Sequence, residues 1–218
     1  IVSDIKKFGS KGKKTGVVST INGDANVPFY KELGNQGISA EDIPVGVFLV
    51  GEEELSGIDT KPLVGHLAAW NYFKSVDAKE NAAFIKSCKA FTKDPKRVSN
   101  DPMEATYIGF NMWVKAVEKA GTTNVDKVEQ AMIGMKAPNL TGGMSTMGKN
   151  HHLSKPVLIG EIQDDGQFDV VWETESLVPG DAWSDFLPDS KDLISDWTAP
   201  IKCGNYNTKT KKCSGQNY

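Results

Sequence analysis

The chain has 218 residues, enough for one large domain or two small ones around a substantial core. Hydrophobic residues make up 39% and charged residues 24%, the composition of an ordinary globular protein rather than a disordered one. A net charge of −3 brings no basic excess to favour nucleic acid, and no apolar run approaches the ~18 residues of a membrane span.

The opening segment, IVSDIKKFGSKGKK, reads as the end of a helix followed by a basic turn. With no initiator Met, charged leader or apolar leader core, it is expected to follow a missing amino-terminal portion. Gly16 to Ile21 then predicts a short buried parallel strand. Asn22-Gly-Asp24 leads into a helix over 27–36, with Pro28 suited to its first turn and Gly37 to its end. Val45 to Val50, after the breaker Pro44, predicts a second buried strand, and Val64 to Phe73 a third β-type stretch. This β-α-β order implies a parallel sheet with right-handed crossovers.

The middle third is predicted to be helical. Lys79 to Thr92 carries Ala83, Phe84 and Phe91 on one side, and Cys88 in register with them reads as a buried structural thiol. Asp101-Pro-Met-Glu104 predicts a helix start with Asp101 as N-cap, running to Ala120 and stopping at Gly121. Tyr107, Phe110, Val114 and Val117 give that helix one apolar stripe. A shorter helix over 126–135 follows.

Strands return over 157–162 and 168–172, where Gln163-Asp-Asp-Gly166 predicts a hairpin turn. After Pro179 the chain is polar and turn-rich. There Cys203 and Cys213 bracket CGNYNTKTKKC, a segment with little else to hold it. A disulfide between them is predicted and would contribute roughly 3 kcal/mol.

Ligands of open parallel sheets sit beyond the carboxyl ends of strands, and two such ends are visible. At the first, Asn22 and Asp24 are ligand candidates, with helix capping by Asp24 or Asn26 as the alternative. At the second, Gly51-Glu-Glu-Glu54 places three carboxylates in a row. They repel one another, so one is expected to face a ligand while the others reach solvent. The alternative is a solvated acidic turn opening a helix. On the third strand, alternation puts His66, Ala68, Trp70 and Tyr72 on one face. Packing is the expected role there, with Trp70 also placed to floor a cleft. His151-His152 reads as a surface turn rather than a metal site. No phosphate-binding loop or H-E-x-x-H is present, and Gly143-Met-Ser-Thr-Met147 lacks the last Gly of G-x-S-x-G. No enzyme, cofactor or metal is expected.

Five ordered segments, VVSTINGDANVPFYKEL, GEEELSGI, LVGHLAAWNYFKSVD, NDPMEATYIG and IGEIQDDGQFDVVWE, resemble one family from about Ile1 to Trp183. It is that of the type I periplasmic binding proteins for branched-chain amino acids and amides, with the urea and short-chain-amide receptors most similar. The resemblance implies an α/β fold of three-layer αβα lobes joined by three hinge crossings, with ligand enclosed between them. Residues 1–74 would form the first part of the carboxy-terminal lobe, and 75–155 a helical segment that packs on the other lobe. Residues 156–183 would supply returning strands and 184–218 an irregular tail, with the amino-terminal lobe largely missing.

The resemblance also implies an extracytoplasmic, periplasmic component of an ABC importer that hands urea or a short-chain amide to permease subunits. Its ligand glutamate matches Glu52, with Glu53 beside it. A branched-chain amino acid receptor is the runner-up. A cytoplasmic amide sensor of the same fold is a further alternative, which a formed Cys203–Cys213 disulfide would count against. With the sheet under the Tyr107–Val117 stripe absent, the chain is expected to form a homodimer, hold an amino-terminal fragment, or rebuild the layer from its own strands.

Overall fold

The computed structural model describes residues 1–181. Three short parallel strands, β1 (Val17–Ser19), β2 (Val45–Val47) and β3 (Leu67–Trp70), are separated by α2 (Asn26–Asn35) and the single-turn α3 (Glu52–Leu55). The helix α1 (Val2–Gly9) precedes β1. After β3 the chain runs through α4 (Lys79–Thr92), α5 (Asp101–Ala120), α6 (Val125–Met132) and a small hairpin, β4 (Lys136–Pro138) with β5 (Met144–Thr146). It then returns to the first sheet as β6 (Leu158–Ile162), antiparallel to β3, and β7 (Phe168–Glu173), antiparallel to β6. The sheet order is β1-β2-β3-β6-β7. No helix among the described residues is long and apolar enough to cross a membrane.

Alternation along the central strands builds the main core. Val45, Val47, Ala68, Leu158 and Ile162 are buried together with Phe29, Tyr30 and Leu33 of α2. Leaving β3, the chain lays Phe73 across β6, where its ring stacks on Phe168 with centroids 4.6 Å apart. Gly160 makes that approach possible: a Cβ there would stand 2.8 Å from Phe73 Cε2 and 2.9 Å from Phe168 Cδ1. Gly160→Ala is therefore expected to lower stability by about 1–3 kcal/mol, the range for forcing an extra methyl into a packed site. An unchanged denaturant midpoint would remove this account of the glycine.

Several sequence expectations change in detail. The N-cap of α5 is Asn100, whose Oδ1 accepts the Met103 N–H at 3.1 Å, and not Asp101. Asn100 is the last extended residue, which frees Asp101 for an ion pair described below. Neither Asp24 nor Asn26 caps α2. Asn26 is wholly buried and its amide donates to the carbonyls of Ile21 and Gly23, fixing the turn that leaves β1. β3 ends at Trp70, so Tyr72 leaves the sheet face and joins a separate cluster with Phe84 and Leu140. Cys88 is a free, half-buried thiol, and Phe91 beside it is exposed.

The largest change concerns α5. Its buried face is Glu104, Ile108, Met112 and Ala116, which packs toward Ala137 and Met147 at the β4–β5 hairpin. The expected stripe lies on the neighbouring face, where Tyr107 and Phe110 are 44% and 62% exposed. The hairpin itself went unread, because three-residue strands carry too little alternation to register.

Candidate functional site

The carboxyl ends of β1 and β2 and the end of β3 bring most of the predicted residues near one another. Asn22 is exposed and extended, and Gly23, at φ +63°, turns the chain so that Asp24 projects into solvent. Asn26 ties this turn toward the neighbouring one, its amide reaching the Leu49 carbonyl at 3.5 Å. Gly51 lies against the half-buried Trp70, close enough that a Cβ would meet its Cζ3 at 3.3 Å. A larger residue at 51 would push the indole away, so Trp70 and the acidic turn are fitted to each other.

The three consecutive carboxylates diverge. Glu54 folds back so that Oε2 accepts the Gly51 N–H at 2.9 Å, closing the first turn of α3. Burial raises its pKa above the ordinary value, and the neighbouring charges of Glu53 and Asp24 push the same way. Glu53 reaches across to the helical segment, pairing with Arg97 at 3.2 Å and accepting a hydrogen bond from the Asn100 amide. Glu52 turns inward and is 2% exposed. Its Oε1 accepts the Ser75 N–H at 3.2 Å, while Oε2 has no hydrogen-bond partner. Burial pushes its pKa up to about 7, against the opposing pull of backbone hydrogen bonds and Lys74.

The predicted residues thus fall into two groups. Asp24, Glu53 and Glu54 make one acidic neighbourhood, with Trp70 against the backbone of Gly51 beside it. Glu52 instead borders a cleft of about 360 Å3 whose walls include Leu55, Ile58, Asp59, Asp164 and Gln167, but not Asn22, Asp24 or Trp70. His66 is fully buried: Nδ1 accepts the Val45 N–H at 3.1 Å and Nε2 faces the Ile38 carbonyl at 3.4 Å. Burial lowers its pKa, so it is a neutral packing residue. His151 and His152 form an exposed turn, and no cluster that could hold a metal occurs among the described residues. Cys203 and Cys213 lie outside the described residues.

One feature was missed from sequence. Lys155, in the run entering β6, lies between Asp101 at 3.2 Å and Glu104, both in the first turn of α5. Glu104 is fully buried and also accepts the Leu140 N–H. The signal was available: Glu104 stands four residues before Ile108, in step with Met112 and Ala116, so the apolar face begins on an acid that needs a buried partner.

The family model described as "Periplasmic binding protein domain" matches residues 1–189. Among solved structures, a solute-binding protein of an ABC transporter from Rhodopseudomonas palustris HaA2, in complex with p-hydroxybenzoic acid, aligns with a TM-score of 0.68. Identity is 21%, over 81% of this chain and 49% of that one. An amino acid ABC transporter substrate-binding protein from Pseudomonas fluorescens Pf-5 aligns with TM-score 0.66 and 18% identity, over 80% of this chain and 48% of that one. A branched-chain amino acid ABC transporter periplasmic ligand-binding protein from Burkholderia xenovorans LB400 gives 0.63 and 18%, over 78% and 46%. A protein of Geobacillus stearothermophilus named limonene hydroxylase is 34% identical over 121 residues, 55% of this chain and 22% of that protein. The structural matches establish the fold, and the chain spans about half the length of the solved relatives.

Proposed function

The chain belongs to the periplasmic binding protein domain family, and from that premise we propose that it is part of the extracytoplasmic solute-binding component of an ABC importer, taking urea or a short-chain amide. The protein captures its ligand between lobes and presents it to permease subunits, with lobe closure favoured by the ligand. Residues 1–74 and the returning strands β6 and β7 supply the carboxy-terminal lobe, and 75–155 the helical segment that packs on the other. No bond of the ligand is made or broken.

The observation that carries this reading is the acceptor-rich character of the strand ends. Asp24, Glu53 and Glu54 gather around Gly51 and Trp70, while Glu52 borders the separate cleft and keeps one buried oxygen without a partner. Such a surface suits a ligand that presents N–H groups, with Asn22 able to donate or accept and Trp70 offering a flat apolar floor. Arg97 is paired with Glu53 and Lys74 donates to Gln167, so an aromatic carboxylate would meet chiefly acids at the turn after β2. A branched-chain amino acid is the second reading, since its ammonium group would also meet these carboxylates.

Calorimetry on the whole protein with urea, acetamide, leucine and 4-hydroxybenzoate tests the reading. Urea or acetamide is expected to bind and 4-hydroxybenzoate not to, and the reverse order would overturn it. Glu52→Ala is expected to weaken urea binding by roughly 1.5–3 kcal/mol, the range for a charged hydrogen bond. Equal affinities for wild type and Glu52→Ala would take Glu52 out of the site.

A further inference from the structure

The net charge of −3 conceals a strong segregation. Between Asp4 and Asp24 there is no acidic residue, and the intervening stretch carries Lys6, Lys7, Lys11, Lys13 and Lys14. It therefore holds +5, leaving −8 on the rest of the chain. All five lysines are exposed.

These lysines are held on a fixed frame. On its inner side α1 buries Val2, and Ile5 packs against the main core. Gly9 sits so close to Ile43 that a Cβ would fall 2.3 Å from its Cδ1. Lys6 Nζ donates to the Gln36 carbonyl, which ties the helix to the end of α2. On the outer side, Phe8 is 63% exposed among the lysines, with the Lys11 ammonium 5.6 Å from its ring centroid. An exposed aromatic ring with one ammonium beside it and other exposed lysines close in sequence matches a lipid–water interface, where the ring enters the headgroup layer and ammonium groups meet phosphates.

The placement fits such a role. The basic run enters β1 at Val17, the amino-terminal end of the parallel strands, while Asn22 and Gly51 lie beyond their carboxyl ends. A surface docked through the lysines leaves the strand-end residues free.

We propose that Lys7, Lys11, Lys13 and Lys14, with Phe8, form a docking surface for an anionic phospholipid bilayer. Lysines near an anionic membrane each add to its attraction, and the effect fades within a Debye length. Binding is thus strongly salt-dependent and holds the protein close to the membrane without anchoring it there. An extracytoplasmic location would make the outer face of the membrane the surface in question, but the affinity itself does not depend on which ligand the cleft takes.

Co-sedimentation with extruded vesicles tests the proposal. The chain is mixed with phosphatidylcholine alone, or with vesicles in which a third of the lipid is phosphatidylglycerol. Partition is expected to be about tenfold or more greater into the anionic vesicles at low salt and to collapse as salt is raised. The combined variant Lys7→Gln, Lys11→Gln, Lys13→Gln and Lys14→Gln should lose this preference, and all four positions are exposed. Phe8→Ser should weaken partition while keeping its salt dependence. Equal partition into both vesicle types would overturn the proposal, as would anionic binding that survives the combined variant. Displacement by inorganic phosphate at matched ionic strength would make the patch a site for small anions, and binding to polyglutamate without binding to vesicles a protein-docking patch. Either result also overturns it.

Discussion

Replacing Lys155 by Ala is expected to lower the unfolding free energy by about 3–5 kcal/mol, the usual result of removing one member of a buried ion pair. Lys155 is the partner of two acids at once, and their environment offers little water: its side chain is 11% exposed, that of Asp101 14% and that of Glu104 none. Without the ammonium, two carboxylates would share one dry space at the first turn of α5, and burial already holds the pKa of each above its ordinary value. The loss should therefore be smaller at low pH, where protonating either acid relieves it. Adding Glu104→Gln and Asp101→Asn to Lys155→Met should recover much of the stability, because the charges disappear together. Denaturant unfolding of the single and triple variants at two pH values provides the check. A loss below about 1 kcal/mol for Lys155→Ala would mean that the cluster is wetter than its burial indicates.

The second large effect is a pH dependence centred on Glu52. Its pKa is raised from an ordinary 4.5 to about 7 because the folded chain removes it from water. A carboxyl raised on folding contributes its full share of stability below pH 4.5, where it is protonated in both states. That share is lost as the pH rises through 7, where the folded protein must hold a buried anion. From pH 4.5 to pH 8 the loss is of order 2–3 kcal/mol. Glu52→Gln, which cannot ionise, should be free of it, so the stability difference between variant and wild type should shift toward the variant by that amount. Thermal unfolding of both proteins, followed by calorimetry at pH 5 and pH 8 without urea, measures the shift directly. Parallel pH profiles would show that Glu52 is not the group responsible. Bound ligand donating N–H groups to the free oxygen should reduce the loss.

The α/β class and most of the long elements were legible because their periodicity was strong. The helix over 79–92 and the one over 101–120 coincide with α4 and α5, each long enough for a 3.6-residue rhythm to stand out. The strands were found but read too long: 45–50 shrank to Val45–Val47, and 64–73 to Leu67–Trp70. Hydrophobicity does not mark where pairing stops, and Val50, Tyr72 and Phe73 are buried without being in strands. The acidic turn was readable as a strand end, and mutual repulsion foretold that its three glutamates would part, but Glu53 and Glu54 turn to protein partners where solvent was expected. Their individual partners were out of reach. Ser75, Arg97 and Asn100 lie more than 20 positions from the residues they meet, and no local pattern announces such contacts.

The position of β6 beside β3 has a consequence in time. Trp70 pairs with Leu158, 88 positions later, so the middle of the finished sheet cannot close until nearly the whole described chain exists. At synthesis rates of about 5–20 residues per second, roughly 4–18 s separate the two strands at the ribosome. Helices α4, α5 and α6 can form locally while the chain waits, since their hydrogen bonds need no distant partner. During those seconds β3 is a bare edge, its unpaired amides and carbonyls open to any other strand that arrives first.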